Sequence, residues 1–234
     1  MLRDQIPTDR LSEFLCYLAC NDSNGQGDRI PPLAELSTEL GLSVASLREQ
    51  LEVAKAMGLV EARPRTGIRK LPYTFRPAVV QSLNYGLVVL PEAFKNYSDL
   101  RNHIEAAYWP QAVQSLNEND HAELRNLIAR AREKLQGQPV QIPHAEHRAL
   151  HLAIYKRLNN PFVTGLLEAY WEVYEAFGLN VYSDLEYHVR VWDYHARMVE
   201  AICNRNVTVG YEALMEHMDL IFQREKKPVN QAFE

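Results

Sequence analysis

The chain has 234 residues, and 25 Lys and Arg against 30 Asp and Glu leave a formal net charge of −5. With 47% hydrophobic and 24% charged residues it has a globular composition, which excludes a disordered or fibrous protein. The acid excess also excludes a generally basic nucleic-acid coat, so any DNA contact has to come from a local patch.

Three cysteines, Cys16, Cys20 and Cys203, form no CxxC pair and fit a reducing compartment. The polar start MLRDQIPTDR lacks the apolar core of a signal peptide. No run approaches the ~18 apolar residues of a membrane span. The expectation is a soluble, cytoplasmic protein with no membrane partner.

Leu11, Phe14, Leu15 and Leu18 recur at helical spacing after Thr8, which can cap a first helix of about three turns. Residues 21–28 (NDSNGQGD) read as a polar loop. Pro31 and Pro32 then open a second helix, with Leu33, Leu36 and Leu40 on one face and Gly41 at its end. Ser43 can cap a third helix, with Leu47, Leu51 and Ala54 as its buried stripe and Gly58 as its stop. Residues 59–63 read as a strand, 64–67 as a turn, and 68–71 as a returning strand. Helix, two-residue link, helix and hairpin in this order spell a winged helix-turn-helix.

The stretch 72–78 carries two prolines and reads as a linker. Beyond it apolar residues keep helical periodicity near 77–88, 91–118, 120–136, 143–158, 161–178, 186–205 and 207–226. Asp120 can cap one of these helices, Pro161 suits the first turn of another, and Pro110 should kink or break a third. No internal repeat of 20–50 residues stands out. The predicted fold is mainly α: a winged helix-turn-helix over 1–71, a linker over 72–78, an antiparallel all-helical bundle of six to seven helices over 79–227, and a tail over 228–234.

Charge is uneven within the first part. Residues 1–70 carry nine Lys and Arg against ten Asp and Glu, but residues 44–70 carry six against three. Positive charge thus gathers where the third helix and the wing lie. Ser43, Ser46 and Arg48 sit at the start of the helix that would enter the major groove. An arginine there can read guanine with two parallel hydrogen bonds, and serines can bond phosphates. Arg65, Thr66 and Gly67 form the wing tip, where glycine permits a close backbone approach.

A second constellation lies in the bundle. His147 and His151 are i and i+4 on one helix, and His195 and His217 fall on the last two. Four such imidazoles can converge and bind zinc, nickel or copper. Histidines that partner buried hydrogen bonds would show the same pattern. Tyr155, Tyr170, Trp171 and Tyr174 can line such a site or simply fill core.

Residues 30–70 resemble the winged helix of GntR-family transcription regulators. The matches at Pro31, Glu35-Leu36, Leu40-Gly41, Ser43, Arg48-Glu49, Leu51 and Gly58-Leu59-Val60 are in register without gaps. The later part resembles the all-helical FCD ligand-binding domain of the FadR-like branch. Arg101-x-x-x-Glu105, His151 in HRALHLAIYKRLNNP, His195 in HARMVEAI and His217 in YEALMEH carry that likeness. The resemblance implies a homodimer on a palindromic double-stranded DNA operator, with a small organic or sugar acid bound in the bundle as effector. It implies a divalent metal at the base of that pocket, held at the positions of His147, His151, His195 and His217, and an effector-facing arginine at Arg101.

This chain departs from the family pattern in three places. The family's aspartate ligand is His147, which removes a negative charge and turns metal preference toward zinc, nickel or copper; His144 is a rival ligand. Two usual DNA-facing arginines are absent, at Pro32-Leu33-Ala34 and at Val44. Pro110 and Arg205-Asn206 imply local changes in helix and turn shape. Beside the regulator, two other functions remain open: an all-helical metalloenzyme using the histidine-bound metal, and a degenerate sensor with weak DNA binding. Arg101 can equally form an internal helix pair with Glu105.

Overall fold

A computed structural model describes residues 10–21, 29–177 and 185–225. Thr8, most of the 21–28 loop and the tail beyond Lys227 therefore lie outside the described residues. The chain divides into two compact units, Met1–Ser82 and Leu83–Glu234.

In the first unit, α1 (Glu13–Cys20) begins at Ser12, whose side chain accepts from the Leu15 N–H. It is two turns long, shorter than the apolar spacing suggests, because Leu11 precedes this cap. Helix α2 (Leu33–Leu40) starts after Pro32 and ends at Gly41, whose φ of 67° suits a residue without a Cβ. Helix α3 (Val44–Ala56) is capped by Ser43, which accepts from the Ser46 N–H at 3.1 Å. Gly58 follows it at φ 70°, and a Cβ there would meet Pro77 Cγ at 2.4 Å.

The wing is β2 (Val60–Arg63) and β3 (Gly67–Lys70), with Arg65 and Gly67 at positive φ in and after the turn. Sequence patterning misses a third strand, β1 (Arg29–Ile30), which is too short to show alternation. It pairs antiparallel with β3, giving the order β1-β3-β2 and placing Arg29 opposite Arg69. The core is apolar: Phe14, Leu36, Leu47 and Ala54 are fully buried, with Leu18, Ile30, Leu51 and Val60 around them. Each large side chain buried there contributes about 1.5–3 kcal/mol.

Residues 71–75 carry no helix or strand, and α4 (Arg76–Val89) begins inside the expected linker. Pro77 explains this, since its fixed φ suits a first helical turn. Six helices follow: α5 (Ala93–Ser115), α6 (Glu118–Gln136), α7 (His144–Tyr155), α8 (Pro161–Phe177), α9 (Leu185–Cys203) and α10 (Val207–Glu225). They form a bundle around Trp109, Leu124, Leu150, Ile154, Leu167 and Met198.

Two sequence expectations change here. Pro110 does not break α5, which runs continuously through it. The preceding Trp109 is fully buried and donates its indole N–H to the Val207 carbonyl at 3.0 Å, holding this turn against α10. Asp120 is not the cap of α6. Asn117 takes that place, and Asp120 accepts from the Asn117 N–H at 2.8 Å, closing a capping box. The Asp120 carboxylate also pairs with Lys156 at 2.7 Å and with Arg157. Between α9 and α10, Arg205 takes φ 57° and the Asn206 side chain accepts from the Val209 N–H at 3.2 Å. A Cβ at Gly210 would meet Trp109 Cζ2 at 2.6 Å, so this glycine sets the close approach of α10 to α5.

Candidate metal centre and nucleic-acid face

The core-facing stripes of four helices carry polar residues at helical spacing. On α5 the stripe is Ser98, Arg101, Asn102, Glu105, Trp109, Ala112 and Val113. On α9 it is His188, Val191, Trp192, His195, Met198, Val199 and Ile202. His147 and His151 are one turn apart on α7, and His217 replaces an apolar residue among Ala213, Leu214 and Met218 on α10.

These stripes bring His147, His151, His195 and His217 together. One ligand nitrogen from each lies within 4.8 Å of the others. The closest ring pairs are His195 with His217 at 4.4 Å and His147 with His195 at 4.8 Å between centroids. His144 is not in the cluster; its ring lies 6.0 Å from that of His188. Burial drives all four clustered imidazoles well below the ordinary histidine range, so they are neutral and carry lone pairs.

Several of these nitrogens have no hydrogen-bond partner: His147 Nε2, His195 Nδ1, and both Nδ1 and Nε2 of His217. His151 Nε2 and His195 Nε2 face each other at 3.1 Å. Unpartnered buried polar atoms each cost about 1–3 kcal/mol. A divalent cation at the centre of the four rings would satisfy lone pairs that the protein leaves unmet, so the residues fit a metal.

Beside the cluster lies a buried ion pair that helical spacing alone reads as an ordinary surface pair. Glu105 is 0% exposed and Arg101 3%. Arg101 Nε stands 2.9 Å from Glu105 Oε1, close enough for an ion pair but not aligned for a hydrogen bond. Burial pushes the Glu105 carboxyl up, with the Arg101 charge pulling the other way. His151 Nδ1 lies 3.1 Å from Glu105 Oε2 and 2.8 Å from Arg101 Nη2. The tautomer that donates Nδ1–H to Glu105 would leave Nε2 free as a ligand, as second-shell carboxylates do for metal-bound histidines, while Arg101 Nη2, a donor only, competes for the same Nδ1 with the opposite tautomer. Glu105 is the functional residue that sequence reasoning treated only as a partner of Arg101. Its signal was a carboxylate one turn before Trp109 on an apolar stripe.

Arg101 is drawn inward. Its Nη1 donates to Asn102 Oδ1 at 3.0 Å, and its guanidinium carbon lies 5.1 Å from the ring centroids of both Tyr170 and Trp171. The Trp171 ring is 4.7 Å from His147 and 4.9 Å from His151. Tyr170, Trp171 and Tyr174 therefore form an aromatic wall beside the histidines. Tyr155 belongs to the main core and donates its hydroxyl to the Glu105 carbonyl at 2.9 Å.

On the first unit, Arg48, Arg65, Thr66 and Gly67 are exposed. Ser43 uses its hydroxyl as the α3 cap. Ser46 is half-buried, and its hydroxyl accepts from Gln50 Nε2 at 3.3 Å. Arg69, one of the six cations of 44–70, and its cross-strand neighbour Arg29, which patterning did not single out, are exposed and extend the positive face of the wing. A Cβ on Gly67 would sit 3.6 Å from Arg29 Nε, so strand and wing tip adjoin.

A helix-turn-helix with a wing, followed by a helical bundle, is the architecture of a DNA-binding transcription regulator. The FCD domain profile matches residues 97–220. The chain is 22% identical to the Uxu operon regulator of Haemophilus influenzae over 82% of its own length and 72% of that protein. It is 23% identical to the uncharacterized HTH-type transcriptional regulator YieP of Escherichia coli, over 87% and 88%. The solved structure of Streptococcus agalactiae GntR shares its fold at a TM-score of 0.63 and 14% identity, covering 90% of this chain and 96% of that one. The chain belongs to the FCD-domain family of GntR transcription regulators and is not an enzyme.

Proposed function

We propose that this regulator is a homodimer whose operator affinity is set by a small carboxylate effector bound beside a divalent metal held by His147, His151, His195 and His217. The observation that carries this reading is the convergence of four neutral imidazoles, three of which (His147, His195 and His217) keep a buried nitrogen without a partner. Four imidazoles and no carboxylate among these ligands favour zinc or nickel over manganese or magnesium. The bound metal would supply a positive centre and open coordination for an effector oxygen. Arg101 would add a guanidinium to the same anion, and Glu105 orients His151.

On the DNA side, Arg48 enters the major groove with the start of α3, and Ser43 and Ser46 bring that helix end to the backbone. Arg65, Thr66 and Gly67 contact phosphates or the minor groove, helped by Arg29 and Arg69. The effector acts by preferring one arrangement of the two winged helices in the dimer. No described helix is long and apolar enough to cross a membrane, and a DNA-binding role points to the cytoplasm.

The test is a binding titration of the metal-loaded protein with the DNA upstream of its own gene. Sequence-selective binding that weakens with salt and shifts with a carboxylate supports the reading. The absence of salt-sensitive, selective binding would replace it with a helical sensor that has lost its DNA site, the outcome that Val44 and Pro32-Leu33-Ala34 make worth testing.

A further inference from the structure

The indole nitrogen of Trp171 is unexplained by the ligand set. Trp171 is 1% exposed, and its Nε1 has no hydrogen-bond partner. Burying an N–H without an acceptor is destabilising, and tryptophan normally finds one. This donor belongs to a ring packed against His147 and His151, with the Arg101 guanidinium over it. The nearby carboxylate among the described buried residues, Glu105, is already engaged by Arg101 and His151. With the imidazole lone pairs turned to a metal, the Trp171 N–H is left without an acceptor.

Burial shows the side from which one would arrive. His151, His195 and His217 are 0%, 0% and 1% exposed, while His147 is only half-buried. His147 is thus the member of the cluster nearest the surface, and its ring is flanked by Trp171 at 4.7 Å, Tyr174 at 6.0 Å and Trp192 at 6.2 Å. All three flanking rings meet His147 in T-shaped, edge-to-face arrangements. The nearby hydroxyls are already engaged: Tyr97 donates to the Leu166 carbonyl at 3.0 Å and Ser98 to the Phe94 carbonyl at 2.8 Å. A sugar acid buried here would leave hydroxyls unpaired, at a cost for each. A flat apolar body would instead stack on the rings.

We propose that the effector is a carboxylate with an aromatic or otherwise flat apolar body, not a polyhydroxylated sugar acid, and that Trp171 helps select it by donating its indole N–H to the bound carboxylate. This rests on the metal-and-carboxylate reading above. It narrows the effector to one chemical class and adds a specificity-determining residue.

The test is calorimetric titration of the full-length, nickel-loaded protein with benzoate and phenylacetate beside gluconate and glucuronate. Tighter binding of the two aromatic acids is expected. Tighter binding of the two sugar acids would overturn the proposal and leave the carboxylate reading standing. Binding of neither class would overturn both. This comparison uses the unaltered chain and does not depend on a variant folding. A Trp171→Phe variant then removes the N–H: metal content stays at the parent value, the smaller ring lowers the melting temperature, and benzoate affinity falls about ten-fold or more. Parent-like benzoate affinity in that variant would remove Trp171 from the proposal.

Discussion

The two units handle polar groups in opposite ways. In the winged unit the described core is Phe14, Leu18, Ile30, Leu36, Leu47, Leu51, Ala54 and Val60, and the charged residues lie outside it. In the bundle Arg101, Glu105, Asp120, Glu146 and the clustered His151, His195 and His217 are all buried. The contrast follows from what each must bind. DNA is a surface that comes to the protein, so its contacts can stay hydrated until they meet phosphate. The anion and metal proposed for the bundle would have to be enclosed, and enclosing their partners puts polar groups in a low-dielectric core, where each must be satisfied. Stability in the first unit therefore rests on packing, and in the second, on the proposed reading, partly on what is bound.

Acid should separate the two units most strongly. The four clustered histidines have depressed pKa values in the fold, so below about 6.5 the unfolded chain binds protons that the metal-free bundle does not. Stability linked to them is complete above that pH and is lost as pH falls. The metal-free bundle should thus melt before the winged unit as pH is lowered from 7 to 5, seen in tryptophan fluorescence, since all three tryptophans (Trp109, Trp171 and Trp192) lie in the bundle. A bundle melting temperature flat over that range would break the comparison.

A packing change should do the reverse. Phe14→Ala removes a fully buried ring and should cost the winged unit about 3–5 kcal/mol. DNA binding is lost, while metal content per chain stays at the parent value. Glu105→Gln keeps the size of the side chain but withdraws the carboxylate from His151 Nδ1, and metal affinity should fall about 10–100-fold in a competition titration with a chelator. Asp120→Asn weakens the α6 capping box and the pairs to Lys156 and Arg157, lowering stability by roughly 1 kcal/mol at neutral pH. The Asp120 carboxyl is held well below its ordinary range, chiefly by Arg157. Its contribution is therefore present above about pH 4 and fades on acidification, so the difference from the parent should shrink there. Arg48→Ala is the smallest change in stability, within about 0.5 kcal/mol, yet it should relax base preference at one operator position.

The sequence carries the winged unit well because its signals are local. Ser43 before α3, and Gly41 and Gly58 after α2 and α3, mark ends by backbone chemistry that needs no distant partner. Strand β1 escaped because two residues cannot show a period, and its existence depends on β3, which is about forty residues away. Asn117 and Asp120 are both good capping residues, and only the reciprocal bonds between them decide which is the cap. In the bundle, helix positions were legible and convergence was not. The i,i+4 pair His147 and His151 is visible, but the approach of His195 and His217 follows from packing, and resemblance supplied it beforehand. Glu105 and Trp171 were named without a role for a related reason: a glutamate four residues from an arginine can be no more than a helix pair, and a tryptophan on an apolar face can be no more than core.

The central claim is that the buried histidines hold a metal, and elemental analysis of the purified protein tests it most directly, beside a His151→Ala/His195→Ala double variant. The account predicts about one zinc or nickel per chain in the parent after incubation with either ion, and none in the variant. A parent that remains metal-free under the same loading would contradict it.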